Sequence, residues 1–206
     1  MRRRRSPAAG DALLIVGLRN PGAEYAGTRH NVGGEAVETL AGGASFKRAP
    51  KRIVAEILET DIAGRRAVLA IPMAFMNESG GPVSGLVKYF KVDEAGLVLV
   101  HDDIDLPFGK LRFQSGRGSG GHNGVASVMR SLGSQEVWRL KVGVGRPPGR
   151  MDPADFVLRS FSAKERPDVD LLVAAAADVL RTFIAGGGEQ ARQAAGEATR
   201  RLGIAE

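Results

Sequence analysis

The stretch LLIVGLRNPGAEYAGTRHNVG, residues 13–33, decides how the chain is read. It opens with an aliphatic run ending at Leu18, passes through the turn formers Asn20, Pro21 and Gly22, and reaches the tetrad Thr28-Arg29-His30-Asn31. From Val32 the apolar residues Val32, Ala36, Val37 and Leu40 recur at helical spacing, and Gly42 and Gly43 end the pattern. A buried strand therefore feeds a polar loop that opens a helix. In open α/β sheets ligands gather where strand ends meet such loops, so His30 is the first candidate catalyst.

Outward from this unit, residues 53–60 and 66–71 are β-rich and read as a hairpin, preceded by a basic loop over residues 44–52. Residues 72–77 lead to a helix carried by Val83, Leu86, Val87 and Phe90, which places Asn77 just before a helix start. Residues 97–100 form a continuous apolar run, the mark of a central strand, and end at once in His101-Asp102-Asp103-Ile104-Asp105. A strand over 110–114 follows, then a glycine-rich loop, and then His122-Asn123 opening a helix through Val125, Val128, Met129 and Leu132. Residues 138–145 read as a half-buried strand and 156–161 as a short extended segment. Ser162 and Glu165 have the spacing of a capping box before a long helix over 168–184, and residues 189–202 form a terminal helix. Strands alternating with helices predict an α/β fold: a single-domain, three-layer sandwich with a mixed, mostly parallel central sheet flanked by helices. The expected organisation is a flexible basic tail over residues 1–10 and one domain over residues 11–206.

Composition narrows the function. The chain of 206 residues is 43% hydrophobic and 25% charged, and no apolar run reaches the roughly 18 residues of a membrane helix. It has no cysteine, which removes disulfides, thiolate metal sites and a cysteine nucleophile. Four charges of the net +6 belong to Arg2 to Arg5, so local clusters say more than the total. Two remain: Lys47, Arg48, Lys51 and Arg52, and a second of Arg130, Arg139, Lys141, Arg146 and Arg150.

All three histidines, His30, His101 and His122, sit in loops at strand ends or helix starts. An imidazole held by a carboxylate can take a proton from water and return it to a leaving group. If the strands ending at Leu18 and Val100 are neighbours, Asp102 is the carboxylate that pairs with His30. Duller readings stand beside these: Asn20-Pro21-Gly22 as a turn only, His101 as a structural histidine, His122-Asn123 as a helix cap, and Met73 and Met76 as core. The amides around Gly118, Gly120 and Gly121 also suit a phosphate. The 101–105 cluster with His122 offers ligands for a divalent ion, but strand alternation turns Asp102 and Asp103 to opposite faces. GLRNPG lacks the G-x-G spacing of a dinucleotide site.

Taken together and in order, GLRNPGAEYAGTRHNVG (17–33), PMAFMNESG (72–80), HDDIDLPFGKLRF (101–113), GSGGHNGVASVMRSLG (118–133) and RLKVGVGRP (139–147) resemble bacterial peptidyl-tRNA hydrolase over most of the chain. The resemblance implies hydrolysis of the ester that links a stalled peptide to tRNA, without metal or other cofactor, by a monomeric cytoplasmic enzyme with no membrane or obligate protein partner. It implies His30 as the catalytic base and Asp102 as its orienting acid. Asn20 and Asn77 correspond to asparagines lining the peptide and reaction site, Asn123 to one near the tRNA acceptor end, and Tyr25 to an aromatic position at the tRNA end. His122 and Met76 are further site members, and Lys141 is one member of a basic pair for the tRNA 5′-phosphate. Gln114 occupies the place where the other member is often lysine, with Arg112 and Arg117 nearby, and Arg19 replaces a glycine of the usual GLGNPG. The competing readings are a non-catalytic RNA-binding relative and a metal-dependent phosphohydrolase built on His101 to Asp105.

Overall fold

The protein is represented by a computed structural model that describes residues 12–204; the expected basic tail, residues 1–10, lies outside them. Seven strands form one sheet. In chain order they are β1 Leu13–Gly17, β2 Lys47–Arg48, β3 Ala55–Ile62, β4 Arg65–Pro72, β5 Leu97–Asp103, β6 Leu111–Gln114 and β7 Trp138–Gly143. Their order across the sheet is β2-β3-β4-β1-β5-β7-β6, with β4, β1, β5 and β7 mutually parallel and antiparallel pairs outside them.

The centre follows from sequence chemistry. Every residue of β1 is buried, as a strand covered on both faces requires, and its register sets Leu14 beside Leu97 and Gly17 beside Val100. The Leu18 amide still donates to the Val100 carbonyl at 3.0 Å, so the expected neighbouring of these two strand ends is what the structure contains. Alternation then divides the core. Leu13, Ile15, Leu69, Val98 and Val100 face one side, where α1 Val32–Ala41, α5 Arg166–Gly186 and α6 Gly188–Leu202 pack. Leu14, Val16, Val68, Leu97 and Leu99 face the other, beneath α2 Gly80–Phe90 and α3 Asn123–Leu132. This is the three-layer α/β sandwich that the pattern predicts. Each fully buried aliphatic side chain contributes about 1.5–3 kcal/mol.

Three local expectations change. The pattern predicts an extended segment over residues 156–161, yet α4 Pro153–Val157 is helical because the Asp152 side chain accepts from the Ala154 amide at 2.7 Å and Pro153 fits the first turn. Only Ser160 is strand-like, bridging to Thr28. Strand β7 is buried throughout rather than half-buried, since Trp138, Leu140 and Val142 join the core on the α5 and α6 side while the glycine loop lies over Arg139 and Lys141. Its Arg139 is wholly buried and donates to the carbonyls of Gly118 and Arg117 at 2.8 and 2.7 Å, so this guanidinium shapes the glycine loop and is no part of a surface patch. The loop over 44–52 contains the two-residue edge strand β2, whose exposed Lys47 and Arg48 discourage further strand pairing. The capping box ahead of α5 is present: the Ser162 amide donates to Glu165 Oε2 at 2.7 Å, and the Glu165 amide to Ser162 Oγ at 3.3 Å.

Candidate active site

The parallel strands β4, β1, β5 and β7 all end at one edge of the sheet, and a cavity of about 690 Å³ opens there. The volume lies within the range of small-ligand pockets. Its walls hold Asn20 from the loop after β1, His30 from the turn Arg29–Asn31 ahead of α1, and Asp102 near the end of β5. Phe75, Met76 and Asn77 come from the connection into α2, His122 and Asn123 from the start of α3, and Asp152, Val157 and Leu158 from α4 and its ends.

Close approach of backbone brings the first pair together. A Cβ on Gly33 would overlap the Val100 carbonyl, so a side chain there would push the start of α1 off the end of β5. With glycine in place, His30 Nδ1 lies 2.8 Å from Asp102 Oδ1, and both side chains are buried. Burial opposes charge on Asp102, but the facing His122, with hydrogen bonds from His122 and His30, outweighs it and holds this carboxyl well below the usual carboxylate range. An ionised carboxylate only accepts, so His30 carries its hydrogen on Nδ1 and turns Nε2, which has no partner among the described residues, into a proton acceptor.

The same Asp102 oxygen receives a second imidazole, His122 Nε2 at 3.0 Å. The His122 tautomer follows from its other nitrogen, which accepts the Val125 amide at 3.2 Å as the cap of α3. Thus the capping reading and the site reading of His122 are both satisfied by one ring. His101 is different. Its Nδ1 donates to the Asp102 carbonyl at 2.6 Å, its ring lies 4.6 Å from that of His122, and burial first, then His122, lowers its pKa well below the ordinary value against the pull of Asp102.

The asparagines divide by exposure. Asn20 is buried, and its Oδ1 accepts the Met76 amide at 2.8 Å, which leaves Nδ2 as a donor without a partner among the described residues. Asn77 and Asn123 are exposed at the cavity wall, while Met76 is buried and packs against Gly124. Tyr25 stands outside the lining and meets Phe75 edge-on at 6.4 Å, so it backs a wall residue. Lys141 also stands outside it, nearly buried beneath the glycine loop and paired with the lining residue Asp103 at 2.5 Å. Arg19 points away, packing over Gly34 and pairing with Glu38 of α1 at 2.5 Å.

Two further residues escaped sequence reasoning. Asn31 Oδ1 accepts the Asn20 amide at 2.8 Å and its Nδ2 donates to the Asn20 carbonyl at 3.0 Å, fixing the loop that carries Asn20. Its place directly after His30 was the available signal. Phe75 sits in PMAFMN, where an exposed aromatic at a loop tip was the clue. A divalent-ion site over 101–105 is not assembled: His101 turns to its own strand, Asp103 pairs with Lys141, and Asp105 pairs with Arg146 at 2.5 Å. Among the described residues, His30, Asp102 and His122 are the group compact enough to hold an ion, with ligand atoms within 4.8 Å of one another. An ion there would have to replace the ring hydrogens that now join them.

A layered α/β sandwich with a carboxylate-bound imidazole at the wall of a cavity has the equipment of a hydrolase. The family model described as Peptidyl-tRNA hydrolase matches residues 14–201, and the chain belongs to that family. Peptidyl-tRNA hydrolase of Kineococcus radiotolerans is 50% identical, covering 89% of this chain and 96% of the relative. That of Mycobacterium tuberculosis is 47% identical, covering 88% and 96%. Among solved structures, a peptidyl-tRNA hydrolase in complex with N-propanol superposes with a TM-score of 0.84 at 31% identity, covering 92% of this chain and 97% of the other. Peptidyl-tRNA hydrolase from Acinetobacter baumannii superposes with a TM-score of 0.79 at 30% identity, with the same coverage.

Proposed function

We propose that the protein hydrolyses the ester between peptide and tRNA in peptidyl-tRNA, releasing free tRNA, with His30 as general base and Asp102 as its orienting partner. The observation that carries this reading is the 2.8 Å contact of His30 Nδ1 with Asp102 at the wall of a cavity in a chain of this family. His30 Nε2 takes a proton from water as the oxygen attacks the ester carbonyl. The tetrahedral intermediate then expels the ribose oxygen, which receives that proton from the imidazolium, and Asp102 stabilises the transient positive charge. Asn20 Nδ2 is the buried donor suited to the developing oxyanion. Asn77 and Asn123 supply exposed amides for the peptide and for the acceptor end, and Tyr25, Met76 and His122 hold the walls and Asp102 in place. Lys141, beneath the glycine loop, is the basic group for phosphate, which would share it with Asp103. No step calls for a metal.

We assign the protein to the cytoplasm as a monomer, consistent with its substrate; among the described residues no helix is long and apolar enough to cross a membrane. The test is release of labelled peptide from peptidyl-tRNA by the whole chain in EDTA. Release at full rate is the expected result. Binding of tRNA without release would instead favour a non-catalytic RNA-binding relative, and loss of release on chelation would favour the His30–Asp102–His122 metal site.

A further inference from the structure

Arg29, next to the proposed base, makes more contacts across the fold than a surface cation needs. It is 7% exposed. Its guanidinium carbon lies 4.4 Å from the centre of the Phe156 ring and 4.9 Å from that of Phe161. One terminal nitrogen donates to the carbonyls of Arg159 and Ser160 at 3.2 and 3.0 Å, and the other pairs with Glu165 at 2.7 Å. Its backbone amide also donates to the Arg159 carbonyl at 3.1 Å, and the Phe161 amide donates to the Gly27 carbonyl at 3.0 Å. All these partners lie about 130 residues away in sequence, in α4 and in the connection from α4 to α5. That segment is also a wall of the cavity, through Val157 and Leu158.

We propose that Arg29 is a positioning residue: its guanidinium locks the turn that carries His30 to the segment joining α4 and α5, so that the base and this cavity wall keep one relative geometry. The proposal rests on the reading of His30 as the base. The chemistry selects arginine. A planar fork can serve two carbonyls and a carboxylate at once while its faces lie against two aromatic rings, whereas an ammonium has no plane to stack and no fork to divide. The Glu165 end is held in turn, because Glu165 accepts from the Ser162 amide within the capping box. A displacement of the base by about 1 Å is enough to cost on the order of 10²-fold in rate.

The experiment compares wild type with Arg29→Lys and Glu165→Gln well below their melting temperatures. It measures kcat and KM for peptidyl-tRNA, together with the low-field proton resonance of His30 Nδ1–H, assigned by its loss in His30→Gln. The expected result for Arg29→Lys is a kcat lower by about tenfold or more, a KM raised severalfold, and a resonance that moves or broadens. Glu165→Gln, which keeps the stacking and the carbonyl bonds, should show the same changes at a few-fold scale, and it decides the matter if Arg29→Lys fails to fold. A purely stabilising role would lower Tm alone. The proposal is overturned if the resonance stays in place, or if kcat and KM stay within twofold of wild type, whatever happens to Tm. If the wild type itself releases no peptide, the functional reading fails, and the resonance alone still decides the clamp.

Discussion

The Asn31 carboxamide grips the backbone of Asn20 at both its amide and its carbonyl, at 2.8 and 3.0 Å, across the loop that separates β1 from α1. Both residues are buried, so breaking this grip leaves polar backbone groups without water. Asn31→Ala should cost about 1–3 kcal/mol for each group left unpaired and lower kcat/KM at least tenfold by releasing Asn20. Asn31→Asp, which retains the acceptor and loses the donor, should fall between. Thermal unfolding and steady-state kinetics on both variants check this, and a wild-type Tm and rate for Asn31→Ala would contradict it.

Asp102→Asn keeps the shape of the site and removes its charge. Its carbonyl oxygen can still accept from both imidazoles, which share one oxygen of Asp102, but the neutral amide cannot stabilise an imidazolium at His30. A kcat lower by about 10²- to 10⁴-fold is expected, with tRNA affinity near that of wild type. A substantial loss of affinity instead would mean that Asp102 serves binding.

Acid sensitivity should come from two buried groups with opposite chemistry. Asp102 is held low, so it contributes stability that is present above the unfolded carboxyl value of about 3.9 and is lost as pH falls through its lower folded value. His101 is also held low, chiefly by burial, and stays neutral in the fold. Once unfolded it takes a proton below about pH 6.5, so the unfolded state binds more protons and stability falls as pH drops from there. Tm measured from pH 7 to 5 should therefore decline in the wild type and decline less steeply in His101→Gln. Parallel curves would contradict this assignment.

Gly33→Ala tests the backbone contact that brings the base to its acid. The added methyl overlaps the Val100 carbonyl, a backbone atom that cannot swing aside. A loss of about 1–3 kcal/mol is expected, with a fall in kcat larger than any change in KM, because α1 must shift and His30 travels with its turn. An unfolding curve and turnover equal to wild type would show that the two elements have slack.

Most of this architecture is legible in the chain because short-range signals and long-range packing agree. The aliphatic runs ending at Leu18 and Val100 read as central strands, and their pairing brings His30 to Asp102 as the topology suggests. The capping box at Ser162 and Glu165 is equally plain, since it is a local exchange of hydrogen bonds. What stays hidden depends on partners far away in sequence. Residues 158–161 look extended until their bonds to Gly27 and Arg29 are seen, and Arg139 and Lys141 look like surface cations until the glycine loop covers them; the Asp152 cap of α4, by contrast, is a local signal that a strand reading passes over. Arg19 looks like a departure at the site, yet it turns away to Glu38. His122 is ambiguous between helix cap and site residue because one nitrogen caps α3 while the other bonds Asp102, and only the geometry of its two nitrogens reveals that.

That His30 is the general base of a metal-independent ester hydrolysis can be put to single-turnover release of peptide from peptidyl-tRNA in EDTA, comparing wild type with His30→Ala and measuring tRNA affinity in parallel. Wild type should release peptide at full rate, and His30→Ala should be slower by about 10²- to 10⁴-fold at unchanged affinity. Near wild-type turnover by His30→Ala, or a wild type that stops when the metal is removed, would contradict it.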